Sequence, residues 1–217
     1  TELITGVDLV EQMIRVAAGE PLPFKQEDLK INGWAMESRL YAEDPYRNFL
    51  PSIGRLTRYR PPVEGKTLGD GIVRNDTGVY EGGEISMYYD PMIAKLCTWG
   101  ATRADAIEEM RLALDTFEVE GIGHNLPFCS AVMDHPRFTS GNITTAFIAE
   151  EYPEGFNGVT LDPQTLRRVA AATAAMNRVA EIRRTKISGT MDNHERRVGD
   201  AWVVAAQGEN LAVTIAA

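Results

Sequence analysis

The 217-residue chain carries 31 acidic and 22 basic side chains, a formal net charge of −9, which disfavours nonspecific nucleic-acid binding because that binding draws on clustered Lys and Arg that displace counterions. Its 44% hydrophobic and 24% charged residues fall in the ordinary globular range, and no apolar run approaches the ~20 residues of a membrane span. Neither nucleic acid nor a membrane is an expected partner.

Length alone allows one large domain or two small ones, and two are expected. Cys97 and Cys129 lack the CxxC or Cys/His spacing of a metal or redox site and read as reduced residues in apolar surroundings. Thr1 follows no initiator Met and no signal-like segment, and residues 211–217 read as a strand barely begun, so both ends are expected to be cut.

Val7, Val10, Met13, Ile14 and Ala17 recur at helical spacing, with Asp8 in the first turn and Gly19 and Pro21 as the stop. From Trp34 to Glu43 the period becomes two: Trp34, Met36, Ser38, Leu40 and Ala42 share one face, Glu37, Arg39, Tyr41 and Glu43 the other. Asp44-Pro45 ends this strand, and short strands are expected at 56–60, 73–75 and 85–89, which implies an antiparallel sheet. A buried strand at 92–99 precedes an amphipathic helix over 104–117, capped near Thr102 and ended by Gly121. Shorter helices are expected at 125–133 and 144–151.

The Pro- and Gly-bearing stretch 152–163 interrupts the periodicity, which divides the chain into domains of residues 1–152 and 153–217. Asp162-Pro163 then starts a long alanine-rich helix through Leu166, Val169, Ala170, Thr173, Met176, Val179 and Ile182. Strands at 202–206 and 211–215 around Gly208 read as a hairpin. The fold class is α+β.

Glu37, Arg39, Tyr41 and Glu43 form a polar row in which an Arg is flanked by carboxylates. Such a guanidinium suits a carboxylate, a ureido oxygen or an enolate, because its planar fork stays charged and donates in parallel; the alternative is a solvated cross-strand ion network. Asp90 sits at a turn, where it braces a site or caps local backbone N–H groups. Lys95 lies inside an apolar strand, and its spacing does not choose between an ion pair and a ligand. His124, His135 and His194 lack the i, i+4 pairing of a helical metal site and read as surface or loop residues. The basic cluster Arg178, Arg183, Arg184, Lys186, Arg196 and Arg197 faces either a partner or solvent. GxxxxGK[ST], GxGxxG, GxSxG and HExxH are absent.

Four strings, TELITGVDLV (1–10), GWAMESRLYAEDP (33–45), FLPS with Gly54 (49–52) and YYDPMIAKL (88–96), resemble in family order the C-terminal part of biotin carboxylase domains in biotin-dependent acyl-CoA carboxylases. The resemblance implies that Arg39 is catalytic, binding the biotin ureido group and stabilising its enolate, that Glu37 and Asp90 support it, and that this chain holds no metal ligand. It places ATP, Mg or Mn, and bicarbonate on an ATP-grasp part expected before Thr1. No lysine is framed as Ala-Met-Lys-Met, so biotin is expected on a carrier domain elsewhere, and the fragment alone is expected to be inactive.

The string FIAEEYPEGF (147–156) resembles the propionyl-CoA-carboxylating branch of the family, while methylcrotonyl-CoA, acetyl-CoA and pyruvate carboxylases share the earlier pattern. Residues 153–217 resemble the start of a linking (BT) domain, a long helix leading into an antiparallel barrel. The resemblance implies a hetero-oligomer in which residues 160–217 contact a carboxyltransferase beta subunit, in the cytoplasm of a bacterium or the mitochondrial matrix of a eukaryote. The reading from another class is a noncatalytic interaction scaffold.

Overall fold

The computed structural model describes residues 1–187 and 197–215, and the chain divides into two units, Thr1–Gly158 and Val159–Ala217. Helices α1 (Glu2–Thr5) and α2 (Leu9–Ala17) open the first. Asp8 lies one position outside α2 as its N-cap, its carboxylate accepting the Glu11 N–H, because a short acidic side chain satisfies a helix's orphan donors best from there. The apolar stripe of α2 exists, but Val10, Met13 and Ile14 remain exposed.

Next come β1 (Trp34–Tyr41), β2 (Glu43–Asp44), β3 (Leu50–Pro51), β4 (Gly54–Arg55), β5 (Arg58–Arg60), β6 (Gly65–Lys66), β7 (Ile72–Thr77), β8 (Glu84–Ile85) and β9 (Met92–Gly100). Four of them build an antiparallel sheet in the order β1-β9-β7-β6, with β2-β3 and β4-β8 as separate small ladders. The strand expected at 85–89 stops at Ile85: Ser86 Oγ accepts the Tyr88 N–H and Asp90 Oδ1 the Met92 N–H, which makes a turn of the rest.

Alternation sorts the sheet into two faces. Ser38 and Leu40 of β1, Ala94, Leu96 and Thr98 of β9, and Val73 and Asn75 of β7 are buried on the inner one. Against it packs α3 (Arg103–Asp115), started by a reciprocal capping box between Thr102 and Asp105. Leu56, Leu96, Ile107 and Met110 fill the shared core, and the buried Thr98 hydroxyl is satisfied by donating to the Ala106 carbonyl at 2.8 Å. Trp34, placed by periodicity on the core-facing row, stays 52% exposed at the strand's start.

The other face carries Glu37, Arg39, Lys95, Cys97, Arg74 and Asp76. Cys97 therefore departs from its expected apolar setting: it is buried, but between Glu37 and Arg74 as cross-strand neighbours. Desolvation, and then the Glu37 charge, pushes its thiol pKa up. Cys129 does pack against the core, and burial pushes its thiol up to about 12.

Beyond α3, β10 (Glu118–Glu120) pairs with β5; its single inward residue, Val119, gives no periodicity to read. Helices α4 (Leu126–Asp134), α5 (Pro136–Ser140) and α6 (Phe147–Glu151) complete the unit. The helix expected from 144 begins only at Phe147, and the five residues of α5 are too few to show a helical period in the sequence. His124 and His135 lie in loops, as expected, and are half-buried there. A His124 ring nitrogen lies 3.2 Å from the Val119 carbonyl, and burial lowers its pKa. His135 Nδ1 accepts the Arg137 N–H, and its Nε2 meets Glu151 at 3.2 Å.

The second unit holds α7 (Pro163–Thr185), with Asp162 accepting the Gln164 and Thr165 N–H groups, and the hairpin of β11 (Ala201–Ala206) and β12 (Glu209–Thr214). Its turn residues Gln207 and Gly208 both have positive φ, as a tight hairpin requires. Leu166, Ala170 and Ala174 are the buried apolar residues of α7. Two strands are formed among the described residues, with no closed barrel. Arg178 pairs with Asp200 and Arg184 with Glu181; His194 and Arg196 lie outside the described residues.

Gly121 has φ of 103°, and a Cβ there would collide with the Arg55 carbonyl. Gly121→Ala is expected to cost at least about 1 kcal/mol of stability in urea unfolding. Because the thiolate is the reactive form, Cys97 and Cys129 are expected to resist a disulfide reagent at pH 8 in the native chain and to react fully in denaturant. The raised folded-state pKa fixes the sign: the stability linked to Cys129 is complete below the unfolded value of 9.0 and is lost as pH rises through about 12. A pH series of urea melts reads it.

Candidate functional site

Strand β1 is an edge of the main sheet, so one flank of it meets no further strand. Arg39 sits there on the outer face, opposite Lys95 of β9. Its Nε donates to Glu37 Oε1 at 3.2 Å, with the two side chains 58% and 47% exposed. Glu37, and then Tyr41, strengthens its hold on the proton, which keeps the guanidinium charged at any working pH. An ion pair this exposed contributes little stability; its effect is to orient the fork.

Alongside lies a cavity of about 420 Å³ lined by Glu37, Arg39 and Tyr41 on one side and by Phe128, Val132, Phe147 and Ile148 on the other. Apolar walls with a few convergent polar groups, at this size, are the usual makeup of a small-molecule site. Asn125 closes the polar edge of β1 beside it. Its Oδ1 accepts the Tyr41 N–H at 2.8 Å and its Nδ2 donates to the Arg39 carbonyl at 3.1 Å.

The polar row read from the sequence is not continuous. Register slips between Leu40 and Tyr41, β1 ends at Tyr41, and Glu43 belongs to β2. Glu43 has its pKa raised by desolvation and, second, by the charge of Asp90. Asp90 itself accepts the Met92 N–H at 2.9 Å, which is turn capping, and it does not line the cavity. The structure thus brings Glu37 to Arg39 and leaves Asp90 apart.

Lys95 lies between Arg39 and Asp76 as cross-strand neighbours and is half-buried. It forms no ion pair among the described residues. Arg74 takes the carboxylates instead, meeting Glu2 at 2.5 Å and Asp76 at 2.8 Å, and so ties α1 to the outer face. Among the described residues, no group of three or more His, Cys, Asp or Glu is placed to hold a metal ion, and no helix is long and apolar enough to cross a membrane.

No sequence motif marks Asn125 as part of a site. The only local signal is an Asn before Leu126-Pro127, which reads as an ordinary helix cap.

Residues 37–150 match the family described as "Biotin carboxylase C-terminal domain", and residues 169–217 match "Propionyl-coenzyme A carboxylase BT domain". The propionyl-CoA carboxylase alpha chain of Ruegeria pomeroyi is 74% identical, the match covering 100% of this chain and 34% of that one. The mitochondrial propionyl-CoA carboxylase alpha chain of Homo sapiens is 46% identical over 81% of this chain and 24% of its own. A solved biotin carboxylase domain dimer of Hydrogenobacter thermophilus 2-oxoglutarate carboxylase, in complex with MgADP, ADP and bicarbonate, superposes with a TM-score of 0.64 at 41% identity, over 69% of this chain and 32% of that one. The chain spans about a third of the length of the Ruegeria relative. With more than half of its residues matched by the first of these families, in a fold shared with a solved biotin carboxylase domain, the chain belongs to the biotin carboxylase C-terminal domain family.

Proposed function

We propose that this chain forms the biotin-facing wall of the carboxylating subunit of a propionyl-CoA carboxylase, with Arg39 as the catalytic residue. The observation that carries the reading is a permanently charged guanidinium, held by Glu37 beside a cavity of about 420 Å³ with apolar walls. Biotin supplies the ureido nitrogen that takes up the carboxyl group. The donor set fits it: Arg39, charged and paired with Glu37 beside the cavity, would hold the ureido oxygen and supply a donor to negative charge there. Glu37 fixes the rotamer, and the apolar wall accommodates the ring's hydrocarbon edge. Asp90 supports the site only at a distance, by bracing the turn that leads into β9.

ATP, Mg or Mn, and bicarbonate belong in this proposal to the ATP-grasp part of the complete subunit. The carboxyl group then passes, on a biotin carrier domain, to propionyl-CoA, giving methylmalonyl-CoA. The acyl substrate rests on the match of residues 169–217 and on the 74% identical relative; methylcrotonyl-CoA, acetyl-CoA or pyruvate is the alternative. We assign residues 1–152 to the biotin carboxylase part and 153–217 to the linking domain, whose residues 160–217 dock the carboxyltransferase beta subunit of a hetero-oligomer. Support for docking comes from Val169, Met176 and Val179 of α7 and Val203 of β11, all exposed apolar residues. The compartment follows the host: cytoplasm in a bacterium, mitochondrial matrix in a eukaryote.

In the complete subunit, Arg39→Ala is expected to lower biotin-dependent ATP turnover by ~10²–10³-fold while leaving the melting temperature unchanged; retained turnover rejects the assignment. Met176→Glu is expected to weaken assembly with the beta subunit by about tenfold or more in size-exclusion titration, without altering turnover with free biotin.

A further inference from the structure

Asn125 is 8% exposed and occupies the N-cap of α4, where an asparagine ordinarily accepts from the first helical N–H groups. Here its side chain makes no cap bond. The amide turns away from the helix and onto the free edge of β1: Oδ1 accepts the Tyr41 N–H at 2.8 Å, Nδ2 donates to the Arg39 carbonyl at 3.1 Å, and the Asn125 main-chain N–H donates to the Tyr41 carbonyl at 3.1 Å. These are the bonds a neighbouring strand would supply: one falls on Arg39, which carries the guanidinium, and two fall on Tyr41, two residues further along the same edge. On the opposite flank of β1 the register with β9 slips between Leu40 and Tyr41, so the ladder by itself fixes the backbone least well at this point.

We propose that Asn125 is a positioning residue: it substitutes for the missing strand and holds the Arg39–Tyr41 backbone, and so the guanidinium, in register with the cavity. The inference rests on Arg39 being the group that meets the biotin urea. Carboxamide chemistry is specifically needed, since one side chain must accept from an N–H and donate to a carbonyl in peptide geometry. An aspartate of the same shape keeps the acceptor but sets a carboxylate oxygen against the Arg39 carbonyl. A site held about 1 Å out of place loses rate steeply even when its chemical groups are all present.

The test uses the complete subunit, with Asn125→Ala and Asn125→Asp made alone and in an Arg39→Ala background, and reads kcat and KM for free biotin in biotin-dependent ATP turnover. Each single Asn125 variant is expected to lose ~10²-fold in kcat, and neither is expected to lower the residual rate of Arg39→Ala further, since a residue acting only through Arg39 is not additive with it. Full turnover in Arg39→Ala rejects the reading on which the inference stands. Loss in Arg39→Ala with full turnover in both Asn125 variants overturns the inference alone, as do losses that multiply in the double variants. Should neither variant fold, hydrogen exchange at the wild-type Tyr41 amide decides: protection like that of a paired strand supports the clamp, and exchange at the speed of an open edge overturns it.

Discussion

The pairing of β1 with β9 is the constraint on which the rest of the first unit depends. Because side chains alternate across a strand, the register that sets Ser38 against Leu96 and Leu40 against Ala94 also sets Arg39 against Lys95 on the opposite face. A slip of one residue would exchange the two sets, driving a guanidinium into the core and Leu40 into water. The hydrophobic packing of α3 on the inner face therefore acts on the site indirectly: the burial of Leu40, Leu96 and Met110 selects the register, and the register aims the charge.

The outer face follows a different physics. A cation and a carboxylate stand two residues apart on each of β1 and β7, Arg39 beside Glu37 and Arg74 beside Asp76, and Glu2 of α1 also meets Arg74. Exposed pairs of this kind contribute little to stability, and the direct opposition of Arg39 and Lys95 is unfavourable in itself. Such an arrangement is better understood as orientation than as stabilisation. Glu37 accepts from the Nε of one guanidinium, while Arg74 tethers α1 to the sheet. The edge position of β1 leaves its outward flank open to α4, and the cavity forms between β1 on one side and α4 and α6 on the other.

An asparagine at the start of α4 resolves the problem that an edge strand creates. Outward N–H and C=O groups need partners when partly buried, and a further strand would fill the space that the cavity occupies. A single side-chain amide satisfies both groups in less volume. The same economy appears at Thr98, whose hydroxyl meets the Ala106 carbonyl inside the core, and at Asp162, whose carboxylate accepts two helix N–H groups at the start of α7.

Periodicity and capping are local, so they are legible in the sequence itself. The period-two run around Arg39, the buried strand through Trp99, the helix cap near Thr102, the Asp162-Pro163 helix start and the Gly208 turn all express backbone preferences within a few residues, and the motif strings around Arg39 and Asp90 carry the family resemblance. What tertiary structure decided lies at long range. Asn125 reaches Tyr41 across 84 positions, Cys97 is set among charges by strands on both sides of it, β10 exists only because β5 pairs with it, and Asp90 is kept from Arg39 by its own turn. No pattern along the chain encodes these, because a hydrogen-bond partner or a facing neighbour is chosen by how separate elements pack, and the same side chain serves equally well as a helix cap or as a clamp on a distant strand until that packing is fixed.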